Sequence, residues 1–180
     1  MSNLGFLILS TDHNIGGLKN TIRSIKNNCD NFSITCCVNK SIKPEQLKEM
    51  KQICDVHKGG DTITSLINKG FEKTKEDWNV VLMEGSRICK HLHSKYFRWI
   101  TNEKNIVFPL IVEYNINGQP IKINDTFYNC TLNGLCINKN FFKEVGKLSE
   151  NPLEISRKFW ALDAKEKGAE FKCILGIKIC

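Results

Sequence analysis

The chain reads Phe6-Leu-Ile-Leu-Ser-Thr-Asp-His-Asn14 near its start, and this stretch indicates the fold class. Its four apolar residues form a short continuous run, which is typical of a parallel strand that is buried on both faces. The polar residues after them predict a loop, and Leu18, Ile22 and Ile25 then follow at the spacing of one helix face. Strand, polar loop and helix together form the repeating unit of a parallel α/β sheet.

The same unit continues through the first half of the chain. Short runs of apolar and β-branched residues predict strands at 32–38, 55–56 and 79–83, and helical spacing predicts helices that begin near Pro44 and Asp61. Asp61 is a candidate N-cap for the second of these helices. Ligands of parallel sheets bind beyond the carboxyl ends of the strands, so the loops after these strands are the predicted site.

The second half of the chain has a different pattern. A short helix is predicted at 94–101, and residues 106–123 look like a hairpin with Asn117-Gly118 as its turn. The further expected elements are a strand at 132–137, a helix at 140–145, a helix at 153–167 and a strand at 171–179. Because the sequence contains no repeat, linker or low-complexity stretch, we expect one α/β domain over residues 1–180.

The composition is that of a globular protein, with 41% hydrophobic and 25% charged residues, which excludes a disordered or collagen-like chain. Lys and Arg number 26 against 19 Asp and Glu, so the formal net charge is +7. This excess suits an anionic partner such as a nucleotide. The basic residues are scattered, however, which favours a solvated surface over a nucleic-acid-binding stripe. No apolar run reaches the ~20 residues of a membrane span, and the N-terminal segment lacks the basic start of a signal peptide.

The sequence contains nine cysteines, an odd number, without any Cys-x-x-Cys pair. Together with the missing signal peptide, this indicates reduced thiols and a cytoplasmic protein. The stretch Cys89-Lys-His-Leu-His93 would place three zinc donors on one face of a strand, but a fourth ligand is not visible nearby. We therefore expect most of the cysteines to pack as small apolar residues.

Four passages, in their order along the chain, point to a known family. They are Leu7-Ile-Leu-Ser-Thr11 with the helix after it, Asn68-Lys-Gly70 with the strand at 78–83, the segment 134–146, and Glu166-Lys-Gly-Ala-Glu-Phe-Lys172. In order and spacing they resemble family 2 glycosyltransferases of the GT-A fold. The resemblance implies a mixed, mostly parallel sheet flanked by helices, with 1–90 as a nucleotide-binding half and 91–180 as an acceptor-side half.

The resemblance also implies an activity and a donor site. Members of this family transfer a sugar from a nucleotide-sugar donor to an acceptor hydroxyl, which here would belong to an unknown glycan, protein or lipid. The residues that would meet the nucleotide by their position are Ser10, Thr11, Asp12, Asn39, Asp61 and Asn68. Asn39 replaces the acidic residue that usually contacts the base. Its amide both donates and accepts hydrogen bonds, but asparagine is also a common turn former.

The metal site of the family is altered in this chain. Family members carry Asp-x-Asp after the fourth strand, and these carboxylates hold Mn²⁺ or Mg²⁺ against the diphosphate. Here the sequence reads Met83-Glu-Gly-Ser-Arg87, so Glu84 and Ser86 are the candidate metal ligands. Three interpretations of Arg87 stay open: it binds a phosphate itself, it marks a lost metal site, or it is an ordinary surface residue.

The catalytic base is displaced as well. Inverting family members place a carboxylate near the start of the last long helix, within hydrogen-bond reach of the acceptor hydroxyl. In this chain that position falls on Arg157-Lys158, and the carboxylates on either side of it are Glu154 and Asp163. Glu154 is the preferred candidate, although an acidic residue there also stabilises a helix N-terminus. Two hypotheses follow: an active glycosyltransferase, or an inactive relative that binds a nucleotide or glycan or serves as a structural or interaction module.

Overall fold

The structure is a computed structural model that describes residues 3–88, 90–109, 111–114, 120–124 and 133–174. Within these ranges the strands are β1 (Leu4–Ser10), β2 (Phe32–Val38), β3 (Asp55–Lys58), β4 (Trp78–Met83), β5 (Asn105–Pro109), β6 (Ile111–Tyr114), β7 (Pro120–Asn124), β8 (Leu135–Asn138) and β9 (Glu170–Ile174). The helices are α1 (Ile15–Asn28), α2 (Pro44–Lys51), α3 (Ile63–Lys73), α4 (Leu92–Phe97), α5 (Lys139–Val145) and α6 (Leu153–Glu166). None of the helices in these ranges has the length and apolar character needed to cross a membrane.

Seven strands form one sheet in the order β3-β2-β1-β4-β8-β5-β9, and β6 pairs with β7 in a separate antiparallel ladder. Strand β1 pairs in parallel with both β2 and β4, and β3 and β9 run parallel to their neighbours β2 and β5. Strand β8 runs antiparallel to β4 and β5, on either side of it. The predicted α/β fold with a mixed, mostly parallel sheet flanked by helices is therefore confirmed.

Strand β1 lies in the middle of the core. All seven of its residues are buried, as its continuous apolar run predicted. Phe6 and Ile8 belong to the apolar cluster that also contains side chains of α1, whereas Leu7 and Leu9 belong to the cluster formed with α3, α5 and α6. Because successive side chains of a strand point to opposite faces, helices cover both faces of the sheet. The faces of the sheet are thus covered, and the loops that follow the strands lie at the strand ends.

The structure corrects several predictions for the second half of the chain. Residues 106–115, predicted as one strand, contain parts of β5 in the large sheet and β6 in the separate ladder. The predicted turn at Asn117-Gly118 and the end of the predicted last strand at 175–179 lie outside the described residues. The helix predicted at 94–101 is α4 at Leu92–Phe97, so Trp99 lies beyond its end and is 45% exposed.

The cysteines behave as expected where the structure describes them. Four of them are buried among apolar residues: Cys29, Cys36, Cys37 and Cys136. Burial raises the pKa of the Cys37 thiol to about 12, so this thiol stays protonated at neutral pH. His91 and His93 do not share a strand face as a zinc site there would need, because His91 precedes α4 with a φ of 61° and His93 lies within that helix. Cys89 lies outside the described residues.

Candidate functional site

The loops after β1, β2 and β4 lie side by side at one edge of the sheet. These strands are parallel neighbours, and Ser10 at the end of β1 is in register with Val38 of β2. On the other side of β1, Leu9 is in register with Met83 at the end of β4. The residues after these positions therefore project from the carboxyl edge of the sheet, where parallel α/β folds bind their ligands.

Glu84 binds the loop between β1 and α1 through both of its carboxylate oxygens. Ser10 donates its hydroxyl proton to Oε2 at 2.5 Å, and the backbone N–H of Asn14 donates to the same oxygen at 3.0 Å. The backbone N–H of Asp12 donates to Oε1 at 2.8 Å. Hydrogen bonds to an ionised acceptor are roughly twice as strong as neutral ones. The carboxylate of Glu84 therefore holds the loop against the end of β4.

The start of α1 lies close to the same turn. Asn14 caps this helix, since its Oδ1 accepts a hydrogen bond from the backbone N–H of Gly17 at 2.9 Å. A Cβ atom on Gly17 would lie 3.3 Å from the backbone nitrogen of Gly85, so a larger residue would crowd the turn that carries Glu84. His13 has a φ of 54°, and its Nε2 is buried without a hydrogen-bond partner among the described residues. No residue pattern in the sequence indicates these packing roles.

Asn39 connects the end of β2 to the same loop. Its Nδ2 donates to the carbonyl oxygen of Thr11 at 3.1 Å, and its Oδ1 accepts from the hydroxyl of Ser41 at 3.0 Å. Both ends of the amide therefore already have a partner within the chain. Thr11 and Asn39 therefore lie together, and the Asn39 amide fixes the loop after β1.

Asp61 forms an ion pair with Lys40 instead of capping a helix. The Lys40 Nζ lies 2.7 Å from the Asp61 Oδ2, and hydrogen bonding to this carboxylate raises the pKa of Lys40. The predicted cap is wrong, because Thr62 is the N-cap of α3 and its Oγ1 accepts from the backbone N–H of Ser65 at 3.1 Å. The ion pair joins the loops after β2 and β3 at the carboxyl edge, and both partners are exposed.

Asn68 lies on α3 and holds a distant segment of the backbone. Its Nδ2 donates to the carbonyl oxygen of Leu148 at 2.8 Å, and its Oδ1 accepts from the N–H of Leu148 at 2.9 Å. This pair of bonds satisfies the backbone of a residue that is only 6% exposed. Asn68 therefore fixes the connection between α5 and α6 with one of its two N–H donors and one of its two acceptor positions.

The turn after β4 is fixed by Asn133, which sequence analysis did not identify. The Oδ1 of Asn133 accepts from the backbone N–H of Met83 and from the hydroxyl of Ser86, each at 2.9 Å. Ser86 is buried as a result, with 4% of its surface exposed. Asn133 stands 47 residues from Ser86 along the chain, so no local pattern could have predicted the contact.

The two candidate metal ligands at the end of β4, Glu84 and Ser86, are both engaged by hydrogen bonds within the chain. Mn²⁺ and Mg²⁺ need oxygen atoms with free lone pairs. Both oxygens of Glu84 already accept hydrogen bonds from the loop after β1, two on Oε2 and one on Oε1. The hydroxyl of Ser86 donates toward Asn133. Nowhere in the described ranges do three His, Cys, Asp or Glu side chains form a group that could hold a metal ion.

The two candidate bases lie on α6 rather than in the cluster of loops. Glu154 is in the first turn of this helix and Asp163 is near its end, and both are exposed. Within the described residues, no hydrogen bond or ion pair links either carboxylate to the loops after β1, β2 and β4. Glu154 thus has the position of an acidic residue that stabilises a helix N-terminus.

Basic and acidic side chains both lie around the carboxyl edge. Arg87 is exposed and forms no ion pair with any residue that the structure describes. A cleft of about 320 Å³ opens beside the end of β3, and its lining includes Lys58, Lys69 and Lys147. Lys69 and Lys147 both bind Glu72, at 3.3 Å and 2.7 Å, and Glu150 also lines the cleft, so its three lysines face two carboxylates.

The site as a whole consists of a preformed loop cluster with cations at its margin. Its carboxylate at Glu84 is engaged within the chain, while Arg87 is exposed to solvent. Such an arrangement can bind an anionic ligand through its cations without a metal ion. Compared with known protein families and with curated proteins, the sequence matches none of them.

Proposed function

We propose that this chain is a glycosyltransferase-like protein that binds a nucleotide-sugar donor at the carboxyl edge of β1, β2 and β4, without a divalent cation. The observation that carries the proposal is the engagement of Glu84 by three donors from the loop after β1. These bonds preform the loop that the resemblance assigns to the nucleotide, and they occupy three of the about four acceptor positions of the Glu84 carboxylate, which favours a site that neutralises the diphosphate with basic side chains. The fold supports the same location, because parallel sheets bind ligands at this edge.

Basic side chains take the place of the cation in this proposal. A sugar-nucleotide diphosphate carries negative charge that must be neutralised when it is bound and when it leaves. The guanidinium group of Arg87 presents a planar set of donors that suits a phosphate, and its side chain is exposed next to the Glu84 turn. The three lysines of the neighbouring cleft outnumber its two carboxylates, Glu72 and Glu150, by one, which adds a small positive potential.

Sugar transfer would require a base in addition to the donor site. The acceptor oxygen forms a bond to the anomeric carbon, the bond from that carbon to the diphosphate breaks, and the base takes the hydroxyl proton. Glu154 is the proposed base, with Asp163 as the other candidate on α6. The acceptor hydroxyl belongs to a glycan, a protein or a lipid.

A second candidate function is nucleotide-sugar binding without transfer. Two observations favour it. Glu84 is committed to the loop, and the expected position of the base is held by Arg157 and Lys158, which do not act as bases at neutral pH. An inactive relative would keep the donor site and serve as a binding or interaction module.

Thermal unfolding with UDP-, GDP-, CMP- and dTDP-sugars, each with EDTA and with Mn²⁺, tests the donor site. A donor at about 100 times its Kd stabilises the native state by about 2.7 kcal/mol, which for a chain of this length raises Tm by about 5–10 °C. We expect one donor to give this shift in EDTA, with no increase in Mn²⁺. We expect Arg87→Met to abolish the shift, and the exposed α1 residue Arg23 provides the matched control Arg23→Met.

The results separate the possibilities. A shift that requires Mn²⁺ contradicts the proposal of a metal-free site, and no shift with any donor contradicts nucleotide-sugar binding. Release of the nucleotide product in the presence of candidate acceptors, a nucleoside diphosphate from UDP-, GDP- and dTDP-sugars and CMP from CMP-sugars, separates transfer from binding. We expect Glu154→Gln to stop the release while the Tm shift persists. A protein that binds a donor in EDTA and never releases the nucleotide product is the inactive relative.

A further inference from the structure

Helix α6 has apolar residues on two opposite faces. Trp160, Ala161 and Ala164 face the core and are buried. The outward stripe consists of three residues whose surfaces are 46%, 60% and 48% exposed, namely Ile155, Phe159 and Leu162. These three are spaced by four and then three residues, so they form one continuous stripe along the helix. Burying apolar side chains of this size against a partner stabilises the complex, because it removes their surface from water.

The outward stripe has the pattern of a short coiled-coil seam. A spacing of four and then three residues places Ile155 and Leu162 at d positions and Phe159 at the a position between them. The same frame places Lys158 at g and Asp163 at the following e position. In a parallel pair of helices, a g residue lies next to the e residue five positions further along the partner helix. Lys158 and Asp163 have this separation, and neither forms an ion pair within the part of the chain that the structure describes.

We propose that the outward stripe of α6 binds the same stripe of a second copy of this chain, with the two helices parallel around a two-fold axis. In this arrangement Lys158 of each copy meets Asp163 of the other. An antiparallel pair is disfavoured, because its two-fold axis brings each flank of the helix against itself and therefore sets Lys158 against Lys158. The charges on the two flanks thus select both the partner and the direction of pairing.

The size of the seam sets the strength of the association. Helix α6 has 14 residues and is therefore about 21 Å long. Glu166 occupies the next a position, which limits the apolar seam to three residues on each copy. A stable complex of standard size buries about 800 Å² on each partner, and this seam is smaller. We therefore expect a weak dimer with a Kd in the range of about 10 µM to about 1 mM.

Analytical ultracentrifugation of the full chain, over about 10 µM to about 1 mM, measures the association. The expected result is a concentration-dependent monomer–dimer equilibrium that Phe159→Glu abolishes. Trp99 has a similar exposed apolar side chain on another part of the surface, so Trp99→Glu is the matched control and should leave the equilibrium unchanged. Thermal unfolding of each variant separates loss of dimer from loss of fold.

The charge pair distinguishes the parallel seam from every other arrangement. Lys158→Glu alone and Asp163→Lys alone should each weaken dimerisation about tenfold, because two attractive pairs become two repulsive ones. The double variant should return to within about twofold of the parent. A parent chain that stays monomeric at every concentration overturns the proposal. If Phe159→Glu also lowers the Tm of that monomer, another segment of the same chain covers the stripe. A dimer that the double variant does not restore overturns the parallel pairing. The proposal does not depend on nucleotide binding.

Discussion

Replacing Glu84 by Gln tests whether this residue stabilises the loop after β1 through its hydrogen bonds or serves only as a metal ligand. The two side chains have the same shape, but an amide offers one oxygen where the carboxylate offers two. If the amide oxygen takes the place of Oε2, it accepts from Ser10 and Asn14, and the amide N–H₂ group then faces the N–H of Asp12. The opposite orientation leaves the N–H of Asn14 without an acceptor. Either way, at least one backbone donor loses its partner.

The magnitude follows from these three bonds. Hydrogen bonds to a charged group contribute about 1.5–3 kcal/mol each, against about 0.5–1.5 kcal/mol for neutral ones. Glu84 is only partly buried, and water reaches the loop around Asp12 and Asn14, so we take the lower end of these ranges. The expected loss is about 2 kcal/mol for Glu84→Gln, which lowers Tm by about 4–8 °C for a chain of this length.

Urea unfolding followed by circular dichroism, in the absence of metal ions, measures this loss. The matched control is Glu103→Gln, since Glu103 is exposed and forms no ion pair with the described residues. Hydrogen exchange at the amides of Asp12 and Asn14 should speed up in Glu84→Gln and stay unchanged in the control. An unfolding free energy within about 0.5 kcal/mol of the parent would refute the anchoring role, because surface substitutions without structural consequence fall in that range.

Three further substitutions test other contacts. Gly70→Ala should lower the free energy of unfolding by about 1–3 kcal/mol despite the better helix propensity of alanine, because the alanine Cβ would lie 2.3 Å from the Cδ1 of fully buried Leu7. Urea unfolding measures this loss, and a stabilised variant would contradict it. Asn68→Ala should lower the free energy of unfolding by about 2 kcal/mol, because the backbone of Leu148 loses both hydrogen bonds to this side chain. The amide of Leu148 should then exchange its hydrogen faster, and unchanged protection of that amide would contradict the role of Asn68. Lys147 lowers the pKa of Glu72, so their pair stabilises the fold above the ordinary carboxyl pKa and this stabilisation is lost as pH falls through the lowered value. Lys147→Gln should therefore flatten the fall in stability between about pH 6 and about pH 3, and an unchanged pH profile would show that the pair contributes nothing.

The elements of the first half could be predicted because each carries a strong local signal. Strands such as β1 are buried on both faces, so their apolar runs stand out, and α3 carries its buried residues at helical spacing. The region after α4 lacked such signals. Residues 106–115 have strand-forming character throughout, and nothing in that pattern marks where the chain leaves the large sheet for the ladder of β6 and β7. On α6, both faces carry apolar residues, so spacing alone could not separate the buried face from the exposed stripe.

The candidate site could be located but not understood from the sequence. The rule that ligands bind at the carboxyl ends of parallel strands brought Ser10, Asn39 and Glu84 to one edge, and the structure places them there. What each polar group does depends on backbone direction and on partners far along the chain. Asn133 and Leu148 are such partners, and a residue pattern cannot reveal them. Sequence therefore predicts where polar groups gather, whereas hydrogen bonding decides which of them remain available to a ligand.

The altered metal motif is electrostatically consistent when its residues are considered together. Two free carboxylates after the fourth strand would repel a diphosphate unless a cation lay between them. In this chain the second position is Ser86, which is uncharged, and the charge of Glu84 is stabilised by three donors from the neighbouring loop. The next residue, Arg87, is an exposed cation. The charges of Glu84 and Arg87 therefore balance in this turn, and under the proposed function the exposed guanidinium group of Arg87 would meet the diphosphate in place of a metal ion. Restoring a carboxylate by Ser86→Asp, without restoring a metal ligand at Glu84, should weaken nucleotide binding in EDTA, and tighter binding would contradict this account.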